Sequence, residues 1–194
     1  MPDKYTSFVD LMTSEPEGSY RIEMRSAGTA VALIAPHAGK IEPGTSQICR
    51  SVAGDDLAYY LFEGCKANNN RDLHITSSRF DEPQGIGIAQ AAHVVVTFHG
   101  QTGEELFVNV GGLADQLCAS MIDFLNAAGF SASRHSNPEL QGRDANNICN
   151  RGTKGQGLQF ELSRGLRNAL IADHQAMARF SSTVRFALTS ITRN

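Results

Sequence analysis

The sequence predicts a single compact α/β domain with a mixed, mostly parallel sheet flanked by helices. Three observations lead there. Short apolar runs suited to strands buried on both faces occur at TAVALIAP (29–36) and HVVVTF (93–98). A segment with clear helical spacing, LADQLCASMIDFLNAA (113–128), places apolar residues at 113, 114, 117, 118, 121, 122 and 125. Strand-like and helix-like stretches alternate along the chain, the pattern of helices packed on both faces of one sheet.

In chain order, residues 5–12 (YTSFVDLM) suit a short leading helix, and Tyr20–Arg25 alternates as a strand does. The run at 29–36 lies between Gly28 and Pro36 and reads as a buried strand, followed by a helix over 43–53 with Pro43 in its first turn. LAYYLFEG (57–64) and DLHITSS (72–78) read as two further strands joined by the polar turn KANNNR. The strand His93–Phe98 and a second at 105–112 precede the helix at 113–128, which Gly129 stops. Residues 135–157 form a long loop rich in Asn, Gly and Arg, a length and composition that favour a site over a spacer. A strand, LQFEL, and a helix from about Arg164 close the chain.

At 194 residues, one domain spanning 1–194 can bury its own core. Apolar residues at 41% and charged residues at 19% are an ordinary globular balance and argue against disorder. A net charge of −3 gives no global field for nucleic acid or an anionic membrane, so neither is expected as a partner. The four cysteines (Cys49, Cys65, Cys118, Cys149) form no C-x-x-C pair and read as free thiols in a reduced cytosol. The first 18 residues lack the layout of a signal peptide, and no stretch approaches the ~20 apolar residues of a membrane span, so a monomer made in the cytoplasm is expected.

Three apolar strands end in a residue able to bind metal or move a proton: ALIAP-His37, VVVTF-His99 and LQF-Glu161. Open α/β sheets place ligands beyond the carboxyl ends of their strands. If these three run parallel, His37, His99 and Glu161 share one edge, and Glu42 returns to it at the start of the next helix. Two imidazoles and a carboxylate leave zinc an open position for water, so His37, Glu42 and His99 are the candidate metal ligands and Glu161 the candidate general acid/base. The competing reading makes each strand-end histidine an ordinary polar terminus. Another makes Cys149 a nucleophile with His99 as its base.

Basic residues gather late in the chain: Arg134, Arg143, Arg151, Lys154, Arg164 and Arg167, against Glu139, Asp144 and Glu161. Arg79 stands in another loop after a predicted strand. Guanidinium groups hold carboxylates through paired hydrogen bonds, which points to a carboxylate-bearing substrate, with Asn150-Arg151 the favoured pair; a solvated basic face is the alternative. His74, His93, His135 and His174 show no convergence and are read as structural.

Taken together, PHAGKIEPGTS (36–46), SSRFDEP (77–83), VVVTFHG (94–100), NICNRG (147–152) and LQFELS (158–163) resemble the poly-γ-glutamate hydrolase family of bacteriophages and bacteria. The resemblance runs from about residue 5 into the C-terminal helix. It implies a compact version of the zinc carboxypeptidase sheet and zinc-dependent hydrolysis of γ-glutamyl amide bonds. It further implies one zinc on His37, Glu42 and His99, Glu161 as acid/base, and Arg79, Asn150 and Arg151 toward the substrate. A phage-encoded member would be released by cell lysis. The spacing here is H-x-x-x-x-E, whereas larger zinc carboxypeptidases use H-x-x-E. A zinc deacylase of a small N-acyl amino acid needs the same four residues, and a non-catalytic polyanion-binding module is the other alternative.

Overall fold

The computed structural model describes residues 2–189. The chain runs α1 (Phe8–Ser14), β1 (Tyr20–Arg25), β2 (Val31–Gly39), α2 (Thr45–Ala53), β3 (Ala58–Gly64), α3 (Pro83–Ala91) and β4 (Val94–Gln101). It continues through β5 (Phe107–Gly111), α4 (Asp115–Ala127), β6 (Ser131–Arg134), β7 (Leu158–Ser163), α5 (Arg164–Ala172) and α6 (His174–Thr189). The seven strands form one mixed sheet in the order β1-β3-β2-β4-β7-β5-β6. Its centre, β3-β2-β4-β7, is parallel; β1 and β5 join antiparallel, and β6 lies parallel to β5.

Helices cover both faces, as expected. Side chains of α2, α4, α5 and α6 pack with Leu33, Val96, Phe98 and Phe160 on one face. Those of α1 and α3 pack with Ala32, Ile34, Tyr60 and Phe62 on the other. Phe98 and Phe160 pair in register across β4 and β7 with ring centroids 5.3 Å apart. That contact fixes the register of the next pair, His99 opposite Glu161. A slip of either strand by one residue would turn its polar side chain into the aromatic core.

Strand β2 carries a bulge. Ala35 pairs with Leu61, but Ala38 pairs with Glu63, so three steps on β2 match two on β3. Ala35 and Ala38 therefore both face the α2 side, and the extra residue re-aims the Pro36-His37 step between them. A proline has no N–H for the ladder and is at home in such a bulge.

Several boundaries differ from the sequence expectation. Residues 72–78 are not a strand: a short 3-10 turn, Asn70–Leu73, leads into irregular chain. The outer edge of β3 is already taken by β1, and the Thr76 N–H is bonded to the Asp3 carboxylate at 2.6 Å instead of to a sheet. Helix α3 and strand β6 lie where no element was expected. Glu42 sits in the turn before α2 rather than on its first turn. The C-terminal helix is two helices, divided at Asp173, whose carboxylate accepts from the N–H groups of Gln175 and Ala176.

Candidate metal and hydrolytic site

The parallel strands β2 and β4 pair from Val31–Val94 to Ile34–Thr97 and then part, while β2 stays with β3. The crevice opens where they part, at their carboxyl ends, and His37 and His99 stand on its two sides. Both are buried, with 1% and 3% of their surfaces exposed. His37 Nδ1 lies 3.1 Å from His99 Nδ1 and 3.3 Å from Glu42 Oε1, and His99 Nδ1 lies 3.8 Å from Glu42 Oε2. The turn that delivers Glu42 is closed by its own N–H bonding to His37 O at 2.9 Å. Its carboxylate is steadied by the N–H of Gly100, 2.8 Å from Oε2.

The outward nitrogens of the two rings are engaged elsewhere. His37 Nε2 is 2.8 Å from the carbonyl of Ile75, an oxygen that can only accept, so Nε2 donates there and Nδ1 is the nitrogen turned toward the site. His99 Nε2 lies 3.4 Å from Ser77 Oγ. The surroundings of His99 and Glu42 favour their ligand-ready forms. Burial, with the charge of His37 adding to it, lowers His99 to about 4. Burial pushes Glu42 upward, but the facing imidazoles of His37 and His99 and the Gly100 N–H outweigh it and hold the carboxyl at about 2. Two imidazole nitrogens and a carboxylate are a zinc-type donor set, and ligands ~2.0–2.1 Å from one tetrahedral ion stand roughly 3.3 Å apart. Residues His37, Glu42 and His99 fit such an ion, and they form the candidate metal cluster among the described residues.

Glu161 comes from the neighbouring strand, opposite His99. Burial, and after it the negative charge of Glu42, push its pKa well above the usual carboxylate value. Gln159 donates to Glu161 Oε1 at 2.9 Å and accepts from Asn147 at 2.9 Å, which holds the carboxyl in place and leaves Oε2 for other partners.

His74 was read from sequence as structural, yet it belongs to this site. Its ring stacks on His37 with centroids 3.8 Å apart, Nδ1 is 2.7 Å from Asp3 Oδ1, and Nε2 is 4.0 Å from Glu42 Oε1. Burial first, then the charge of His37, lower it to about 3. The only signal available in the sequence was its place just before the SSRFDEP block, and a strand assignment hid that.

These groups line a cleft of ≈530 Å³, walled on the far side by the 135–157 loop. Arg143 reaches this wall, held by Asp115 at 2.8 Å. Arg79, Asn150 and Arg151 stand elsewhere. Arg79 extends to Asp3 at 3.2 Å. The Asn150 amide is buried and ties the loop together, donating to Gly142 O and Asp144 O and accepting from the N–H groups of Leu113 and Gly157. Arg151 is half-buried and does not line the cleft. Cys149 is fully buried, and burial pushes its thiol far above the ordinary value, which disfavours a nucleophilic thiolate.

Comparison with known proteins agrees with this architecture. The family model for poly-gamma-glutamate hydrolase matches residues 5–189. The UPF0714 protein YmaC of Bacillus subtilis (strain 168) is 37% identical over 174 residues, covering 89% of this chain and 74% of YmaC. The structure of a bacteriophage poly-gamma-glutamate hydrolase superposes with a TM-score of 0.92 at 28% identity, over 99% of both chains. A zinc-free apo form of YndL superposes equally well, with a TM-score of 0.92 at 30% identity over 97% of this chain and 98% of that one. The chain belongs to the poly-gamma-glutamate hydrolase family, and with it to the hydrolases.

Proposed function

We propose that this protein hydrolyses the γ-glutamyl amide bonds of poly-γ-glutamate as a monomer, with one zinc held by His37 Nδ1, Glu42 and His99 Nδ1. The observation that carries the reading is the convergence of those three atoms beside a buried carboxyl, Glu161, on the adjoining strand. The family match and a relative described as zinc-free support both the substrate class and the metal. Zinc, when bound, supplies Lewis acidity, lowering the pKa of a coordinated water toward ~7 and polarising a carbonyl.

The chain's own residues do the rest. Glu161 takes a proton from the attacking water on Oε2 and returns it to the leaving nitrogen, so the amine departs neutral. Its raised pKa suits the second half of that exchange, in which the carboxyl holds the proton and then gives it up. Gln159 keeps Oε1 occupied and so fixes which oxygen works. The Ile75 carbonyl and Ser77 keep the two imidazoles facing inward. Arg143, at the cleft wall, attracts a substrate carboxylate from the loop that also carries Arg151. Arg79, Asn150 and Arg151 act one step back, on the loops that frame the cleft. A polymer is favoured over a small N-acyl amino acid because the cleft meets a second cavity along Glu42, His74, Gly100 and Gln101.

The test is the chain length of poly-γ-glutamate after incubation with zinc-loaded protein. Shortening by wild type and none by Glu161→Gln is the expected result. Shortening by both, or by neither, overturns the assignment.

A further inference from the structure

The second cavity, also ≈530 Å³, adjoins the metal cluster through Glu42 and is lined by Arg71, Arg164, Arg167 and Asn168. Arg167 is the unusual member. It is only 5% exposed, and among the described residues no carboxylate forms a direct ion pair with its guanidinium, although Glu42 and Glu161 act on it from farther off. Its three hydrogen bonds all go to backbone carbonyls, those of Leu162, Pro43 and Gln101. A guanidinium has five N–H donors, so two remain. Burying a charge without a direct ion-pair partner is costly.

The fold nevertheless makes room for it. A Cβ on Gly100 would come within 2.6 Å of Arg167 Cζ, so the residue after His99 must be glycine for the guanidinium to lie there. Arg71 and Arg164 add charge at the rim. Their partners hold them loosely, Asp3 at 3.5 Å from Arg71 and the exposed Glu104 at 3.6 Å from Arg164.

We propose that this cavity binds an α-carboxylate of a γ-linked glutamyl chain, with the spare N–H groups of Arg167 at its floor and Arg71 and Arg164 at its rim. The proposal rests on the hydrolase reading above and names one recognition site for its substrate. In poly-γ-glutamate every residue keeps a free α-carboxylate, because the amide is made through the side chain. A carboxylate seated here would give Arg167 the direct ion-pair partner it lacks, and would place the chain beside the metal cluster.

The experiment is equilibrium binding of γ-linked triglutamate, and of the same peptide with its α-carboxylates amidated, to the Glu161→Gln protein. The carboxylate form is expected to bind at least about tenfold tighter, the scale of one charge-assisted hydrogen-bond pair. Adding Arg167→Gln should erase the preference, with thermal unfolding checked because its three backbone tethers are lost. Adding Arg71→Gln and Arg164→Gln, both at exposed positions, should reduce it at least about threefold without touching the fold. Equal binding of the two peptides, or full preference in the rim variant, overturns the proposal. Binding that follows this pattern in a protein whose wild type leaves the polymer intact would remove the hydrolase reading alone. Cleavage of the polymer with no carboxylate preference would remove this one alone.

Discussion

His37 Nδ1 and His99 Nδ1 face each other at 3.1 Å, while the other nitrogen of each ring has its own oxygen neighbour, Ile75 O and Ser77 Oγ. Two imidazole nitrogens at that distance need a proton or a cation between them. With Glu42 completing the triangle, a divalent cation would satisfy all three groups.

Gln159→Leu should leave the metal content of the protein unchanged and lower kcat by ~10-fold or more, with KM little affected. Supporting groups that orient a working side chain are commonly worth ~10–100-fold, and Gln159 is the donor that holds Glu161 Oε1. Steady-state kinetics with elemental analysis on the same preparation checks both halves.

Asp3→Asn should destabilise the fold and loosen the site at once. Asp3 accepts from the Thr76 amide and hydroxyl and from His74, and it also meets Arg71 and Arg79. Burial raises its pKa, but the Thr76 hydrogen bonds and His74 outweigh that and bring it from 3.8 to about 2. A carboxyl depressed in the folded state stabilises above its unfolded pKa and stops doing so as pH falls through its folded one. Wild type should therefore lose this contribution between pH 3.8 and about 2, and the variant should show a flatter profile across that window. Urea midpoints measured at several acid pH values report the difference.

Cys149→Ala should retain polymer cleavage at the wild-type rate, and wild type should resist alkylation at Cys149 in its folded state. The thiol is fully buried and does not line the cleft. A stability cost of about 1–2 kcal/mol is expected from the lost packing. Loss of cleavage with the fold intact would bring back the thiol mechanism.

Arg143→Gln should raise KM for poly-γ-glutamate several-fold with kcat nearly unchanged, since Arg143 reaches the cleft wall. Arg79→Gln and Arg151→Gln should each have smaller effects, because neither residue lines the cleft.

The central sheet strands were legible because they are continuous apolar runs, and His37, His99 and Glu161 were legible because each ends or interrupts such a run. Topology then does what sequence could only assume: β2, β4 and β7 are parallel neighbours, so their carboxyl ends meet. Helix α3 was hidden by its two glycines. Gly85 is there because a Cβ would press on Phe80 and Tyr60 at 3.0 and 3.1 Å, a tertiary reason that helix propensity does not carry. His74 was missed because its role depends on Asp3, 71 residues away. Asn150 and Arg151 looked like a substrate pair from their place in the Gly-rich loop, yet the Asn150 amide is used three times by the loop's own backbone and once by Leu113.

The most direct test of the account is zinc stoichiometry, by elemental analysis after dialysis, on wild type, His37→Ala, His99→Ala, Glu42→Gln and Glu161→Gln, with polymer cleavage followed on each. About one zinc per chain is predicted for wild type and for Glu161→Gln, with cleavage only in wild type. The three ligand variants should lose both metal and activity. Zinc retained in all three ligand variants, or a wild type that cleaves the polymer at full rate after exhaustive chelation, would contradict it.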